Sequence, residues 1–143
     1  MKTQDEYNEW FKEMLKKHLS KLYTIEKLPY EKGSYLRATI SHPSNNEKDI
    51  IIATHDKELT LYFWKHHEHH DSFEDDDHEQ EFIDLCEYIE DIINDKVYFS
   101  VSYNGDSVLS GFASYDLQDH TENEATRIEI KTWSGKLDET IKR

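Results

Sequence analysis

His66, His67, His69 and His70 crowd around Glu68, with Asp71 directly behind them. Imidazole and carboxylate groups are natural ligands for zinc or nickel, so metal chemistry is the first possibility this tract raises. The spacing departs from the zinc-protease signature, because His67-Glu68-His69-His70 is followed by Asp71 where the second histidine should stand. In an extended segment His67 and His69 share a face and can chelate; in a helical one His66 and His70 pair instead. Either pair needs a third ligand that the sequence does not name. A metal centre at His66, His67, His69 and His70 therefore stands as an alternative to a solvated or partner-facing cluster, and no cofactor is expected.

The charge around this tract is more telling. Between Lys65 and Lys96 there are thirty residues without Lys or Arg, holding thirteen carboxylates and five of the nine histidines. The chain has a net charge of -14, with 17 basic and 31 acidic residues; outside the window 17 basic face 18 acidic, a balance of -1. The acidity is local. A concentrated negative lobe steers a basic partner towards it and speeds their encounter. The same sign argues against nucleic acid and anionic membranes, both of which call for clustered Lys and Arg. Protonation of the histidines would partly discharge the lobe in mildly acidic solution and weaken such a partner's grip.

Catalytic patterns are missing. The carboxylates form a continuous charge run, unlike the contrasting pair that glycoside hydrolysis needs. No Gly-rich phosphate loop, Gly-x-Ser-x-Gly elbow or Cys/His dyad is present. Glu74 to Asp77 lack the alternating ligands and glycine of a calcium loop. Cys86 falls on an apolar helical stripe, where a small buried side chain is expected, and a lone cysteine suits a reducing compartment. The chain reads as a non-enzyme. Its start lacks the apolar core of a signal peptide, and no run is long enough to span a membrane, so a cytoplasmic location is expected.

These residues need elements to hold them. Thr3 and Glu6 form a capping-box pattern ahead of Tyr7, Trp10, Phe11, Met14, Leu15, His18 and Leu22 at helical spacing, with Pro29 and Gly33 closing that region. Strands are expected over 35–41, 49–54 and 58–64; in the last, Leu59, Leu61 and Phe63 alternate with Thr60, Tyr62 and Trp64. A second helix over about 79–94 has Phe82, Leu85, Cys86, Ile89, Ile92 and Ile93 on one face and Asp84, Glu87 and Asp91 on the other. Acids near its C-terminal end, Asp91 and Asp95, oppose the helix dipole, so local stability does not account for them. Strands over 97–103, 108–115 and 125–133 follow, the first two joined by an Asn104-Gly105 turn signal. With 143 residues and 13% aromatics, this predicts a single α+β domain over 1–143. Its expected order is α-β-β-β-α-β-β-β, with about six strands in a largely antiparallel sheet and two helices.

The run from Thr60 to Asp71, a strand leading into a His-x-His-rich acidic segment, resembles small immunity proteins encoded beside bacterial polymorphic toxins. Ile130-Lys131-Thr132-Trp133-Ser134-Gly135-Lys136-Leu137-Asp138 is similar to the Ser-Trp-x-Gly-like ending of that group, with Thr-Trp-Ser-Gly in its place. Within that group it resembles the immunity partners of wall-associated, YD-repeat contact-dependent toxins of Gram-positive bacteria. The resemblance implies a cytoplasmic, non-catalytic protein that binds and blocks the C-terminal domain of a cognate toxin, often a nuclease. It singles out His67, His69, Asp71, Trp133 and Gly135, with contact to toxin and support of the fold both open as roles.

Together these readings place a basic toxin domain against Glu74, Asp75, Asp76, Asp77, Asp84, Glu87 and Asp91, beside His67, His69 and Asp71, with Trp64 or Tyr62 as an apolar anchor. Nuclease clefts are basic because they hold phosphates, and suitably spaced carboxylates can occupy one. Two rivals remain: a metal-binding protein built on the histidines, and an acidic mimic of nucleic acid with a generic basic partner.

Overall fold

The computed structural model describes residues 2–31, 33–70, 78–120 and 124–143. In chain order it has α1 (Gln4–His18), β1 (Thr24–Tyr30), β2 (Gly33–Ile40), β3 (Ile50–Ala53), β4 (Thr60–Phe63) and β5 (His66–His69). Then come α2 (His78–Ile93), β6 (Tyr98–Asn104), β7 (Ser107–Ser114), β8 (Arg127–Lys131) and β9 (Glu139–Lys142). The strands pair antiparallel in two sheets, ordered β1-β2-β3-β4-β5 and β7-β6-β8-β9. The class is α+β, as the periodicity indicates. The strand count differs: nine among the described residues instead of six, in two sheets instead of one. The three additional strands, β1, β5 and β9, are all edge strands. An edge strand needs no apolar alternation, and β1 even accommodates Pro29, so periodicity alone passes over them.

The chain divides into two compact units, Met1–Glu87 and Tyr88–Arg143, with the boundary inside α2. In the first, Thr3 Oγ1 accepts from the Glu6 N–H at 3.1 Å, and the Thr3 N–H donates to Glu6 Oε1 at 3.3 Å. This capping box starts α1 where the sequence indicates. The helix ends at His18, however, and Leu22, expected on its apolar face, is 95% exposed. Tyr7, Phe11, Met14 and Leu15 are buried, and α1 lies against β2. Register sets Ala38, Ile52 and Leu61 side by side on one sheet face, next to Ile40, Ile50 and Phe63. Each buried Ile, Leu or Phe among them contributes roughly 1.5–3 kcal/mol. The Phe82 ring of α2 meets Trp10 and Phe11 edge-on, each with centroids 6.0 Å apart.

A polar network ties α1 to this sheet. Asn8 Nδ2 donates to the Ser34 carbonyl at 2.9 Å, while Asn8 Oδ1 accepts from Thr54 Oγ1 at 2.7 Å and Gln4 Nε2 at 2.9 Å. Thr54 Oγ1 in turn accepts from the Leu36 N–H at 2.9 Å. Buried polar groups are costly only when unpaired, and these are paired.

In the second unit β6 is covered on both faces, with Phe99, Ser100, Val101, Ser102 and Tyr103 all buried. Ala125, Ile128 and Ile130 form a cluster with Tyr98 and Ile141. The β6–β7 turn is Gly105-Asp106, one residue beyond the Asn104-Gly105 signal, and Gly105 takes φ +60° there. The α2 C-terminus closes in a Schellman motif: Lys96 N–H donates to the Asp91 carbonyl at 2.9 Å and Asp95 N–H to the Ile92 carbonyl at 3.1 Å. Asp95 itself holds φ +60°, where glycine is usual.

Candidate functional site

The histidine tract is a strand. β4 turns through Trp64 and Lys65 into β5, and the register pairs Phe63 with His66, Tyr62 with His67, Leu61 with Glu68 and Thr60 with His69. Side chains opposite one another in an antiparallel pair share a face. Thus His66 and Glu68 follow Phe63 and Leu61 towards the buried side, while His67 and His69 follow Tyr62 and Thr60 to the other.

On the buried side, Glu68 bridges two imidazoles: Oε2 is 2.9 Å from His66 Nε2, and Oε1 is 2.7 Å from His70 Nε2. Their side chains are 12–23% exposed. On the outer side the His67 ring stacks against Tyr62 with centroids 5.9 Å apart, and His69 meets His67 edge-on at 5.9 Å. His69 Nδ1 lies 3.1 Å from Thr60 Oγ1 and 3.5 Å from Glu58 Oε2. Extended geometry therefore splits the four histidines two and two. Among the described residues no three His, Cys, Asp or Glu side chains converge as a metal set.

Trp64 departs from the expected pattern. It does not extend the outer face of β4 but sits in the hairpin turn at φ +54°, half-buried, with Lys65 Nζ 5.5 Å from its ring centre. A bulky residue is an outlier at that φ. Tyr62, 41% exposed, is the aromatic that does occupy the outer face.

The acidic window sorts into groups. Asp71, Glu74, Asp75, Asp76 and Asp77 lie outside the described residues. Glu68 holds its two histidines. Glu79 accepts from Lys17 Nζ at 2.7 Å and lies 3.0 Å from His18 Nε2; these bonds, Lys17's first, hold its carboxyl below the usual range. Asp91 accepts from the Tyr115 hydroxyl at 2.9 Å, and Asp95 accepts from both the N–H and the hydroxyl of Ser134. The two acids at the α2 C-terminus thus have local roles after all, and Asp91 is only half-exposed. Asp84 and Glu87 are exposed on α2, as the helical spacing implies. Trp133 and Gly135 lie just past β8 in a closed loop, where Asp138 Oδ1 accepts from the Thr132 N–H at 2.7 Å and Gly135 takes φ +83°.

One residue carried no sequence signal. His120, in a polar connection, is 4% exposed, and its Nδ1 is 2.6 Å from the buried Ser100 hydroxyl. Burial pushes its imidazole down, opposed in part by Asp119 and the Ser114 carbonyl. No group among the described residues makes a well-formed hydrogen bond to Nε2. His120, Ser100, Ser102, Ser110, Phe112 and Asp119 line a half-open cavity of ≈ 210 Å³. Asp119 Oδ2 is bonded to Ser114 Oγ, not to the imidazole, so the three do not make a catalytic relay.

No helix among the described residues is long and apolar enough to cross a membrane. Compared with known proteins, the chain matches no family model, no curated protein and no solved structure.

Proposed function

We propose that this chain is a non-catalytic inhibitory protein, an immunity protein in function, which binds and neutralises the basic C-terminal domain of a cognate bacterial toxin in the cytoplasm. One observation carries the reading: thirteen carboxylates without a single Lys or Arg from 66 to 95, in a chain otherwise balanced to -1. Such asymmetry has little value for folding and a large effect on the rate of encounter with a basic surface. A nuclease domain, whose cleft must attract phosphates, fits best.

The exposed pair Asp84 and Glu87 would form one part of the contact, with the Glu74 to Asp77 run beside it in sequence. Tyr62 and His67 supply a stacked, partly exposed aromatic strip of the kind that anchors interfaces. Glu68, Glu79, Asp91 and Asp95 are engaged with other elements or loops of the fold and are assigned no toxin contact, whereas Asp84, which accepts from Gln80 Nε2 of its own helix at 2.9 Å, remains exposed.

The test is affinity capture from the source organism at physiological salt, with bound proteins identified by mass spectrometry. Recovery of the C-terminal domain of one secreted protein, and inhibition of its activity by the purified chain, is the expected result. Failure to inhibit any captured basic domain would overturn it.

A further inference from the structure

The two sheets leave four edges among the described residues, and three are protected against an added strand. β1 carries Glu26, Lys27 and Pro29, with Glu26 bonded to Arg37 at 2.8 Å. β5 and β9 are each four residues long and carry Glu68 and the pair Glu139 and Lys142, respectively. Short length, charge and proline are the usual means of blunting an edge. β7 has none of them. Its eight residues, Ser-Val-Leu-Ser-Gly-Phe-Ala-Ser, include no charge and no proline. Val108 is 64% exposed and Phe112 45%. No other described segment pairs with its outer side. β7 does carry one irregularity, a bulge at Leu109 between the Tyr103–Val108 and Ser102–Ser110 pairs, which lies next to the turn and leaves Ser110 to Ser114 regularly paired with β6 as the flat part of the edge.

We propose that β7 is a docking edge that takes an extended apolar segment of the basic partner as an added strand. This rests on the proposed function and says where the partner's backbone sits. Main-chain hydrogen bonds along β7 would supply affinity, and alternate side chains specificity. The cavity bounded by Ser110, Phe112 and His120 opens beside the strand and has room for one side chain of the incoming segment.

Charge selects the occupant. Exposed carboxylates bracket the strand, Asp106 before it and Asp116 and Asp119 after it. A second copy pairing antiparallel through β7 would set Asp106 against Asp116 and bring together two chains of net charge -14. A segment with an apolar centre and Lys or Arg at its ends meets no such repulsion and is attracted at both ends.

The probe is a displayed random peptide library selected on the full chain. Enriched peptides should alternate apolar residues between basic ends and slow amide exchange at 108–114. Val108→Lys should weaken them by about tenfold or more, with Val108→Thr restoring binding, because a lysine on an edge disfavours an added strand. Asp106→Lys, an exposed site at the turn, should weaken them by a comparable factor through charge alone. Peptides that bind Val108→Lys normally yet fail on Asp84→Lys would overturn the β7 proposal and leave the acidic-helix reading standing. The converse pattern would support β7 and remove α2 from the interface. An absence of enriched peptides, or a dimer of the chain that Val108→Lys dissolves, would overturn the proposal.

Discussion

The carboxylate of Asp95 takes both the N–H and the hydroxyl of Ser134, across 39 positions of sequence, while its own backbone holds φ +60°. An acid that opposes the dipole at a helix C-terminus is therefore part of how α2 ends and how the loop after β8 is held. Asp95→Ala should lose both hydrogen bonds and keep the left-handed cost, destabilising the fold by about 1–3 kcal/mol. Asp95→Gly should recover roughly 1 kcal/mol of that, because glycine adopts this φ freely. Denaturant titration of both variants checks the difference.

With Asp95 and Asp91 given local roles, Asp84 and Glu87 are the exposed acids of α2 on which the proposed interface depends. Changing both to Lys should leave stability within about 0.5 kcal/mol, as for most surface changes. It should slow association with the toxin domain by roughly tenfold or more at low salt, the difference shrinking as salt rises. Stopped-flow association at several ionic strengths reads this directly. Equal rates for variant and parent would remove the helix from the interface.

Trp64 combines a strained backbone with a half-buried ring in the turn between β4 and β5. Left-handed φ costs a non-glycine residue about 1–2 kcal/mol. Trp64→Gly should therefore be more stable than Trp64→Ala by about 1 kcal/mol, although both lose the ring. If the ring serves as an anchor, both should weaken toxin binding alike, by about 2 kcal/mol or some thirtyfold. Equal stability of the two variants would show that the turn holds no strain at this residue.

The sequence exposes those parts of the fold that bury an apolar face. Both helices and β2, β3, β4, β6 and β8 bury an apolar face, which alternation or a three-and-four stripe reveals, whereas β7, largely exposed, is legible only as the return strand of the Asn104-Gly105 turn signal. β5 is invisible to that signal, because His66-His67-Glu68-His69 acquires its strand geometry from pairing with β4. Alternation places His67 and His69 on one face of an extended segment, as the register has them, but it gives no sign of Glu68 bridging His66 and His70. The cost of Trp64's position in the turn was also hidden, since propensity reads a β-rich aromatic as more strand. The helix dipole gives no reason for Asp91 and Asp95, and their partners, Tyr115 and Ser134, are distant in sequence.

Asn8 is the hinge of the polar network under α1, bonded to Gln4, Ser34 and Thr54. Asn8→Ala removes the donor to the Ser34 carbonyl and leaves the buried Thr54 hydroxyl with only its 3.4 Å contact to the Leu36 carbonyl as acceptor. A loss of about 2–3 kcal/mol is expected, above that of an ordinary surface change. Asn8→Asp keeps the acceptor for Thr54 but loses the donor to Ser34 and buries a charge, so it should be no better. Thermal unfolding of the two variants separates them from the parent.

His120 sets a pH dependence of stability. Burial depresses its imidazole, so it stays neutral in the fold at a pH where the unfolded chain has already taken up a proton. The unfolded state then binds more protons, and stability rises with pH across that interval. Above about pH 6.5, the ordinary histidine value, both states are neutral and the effect is absent. Acidification below that value should cost stability progressively, until the pH reaches the depressed value of the folded form. His120→Gln retains a polar contact for Ser100 and cannot titrate, so its stability curve should be flatter between pH 5 and 7 than the parent's. Parallel curves for the two proteins, from urea melts at fixed ionic strength, would assign the pH dependence to other histidines.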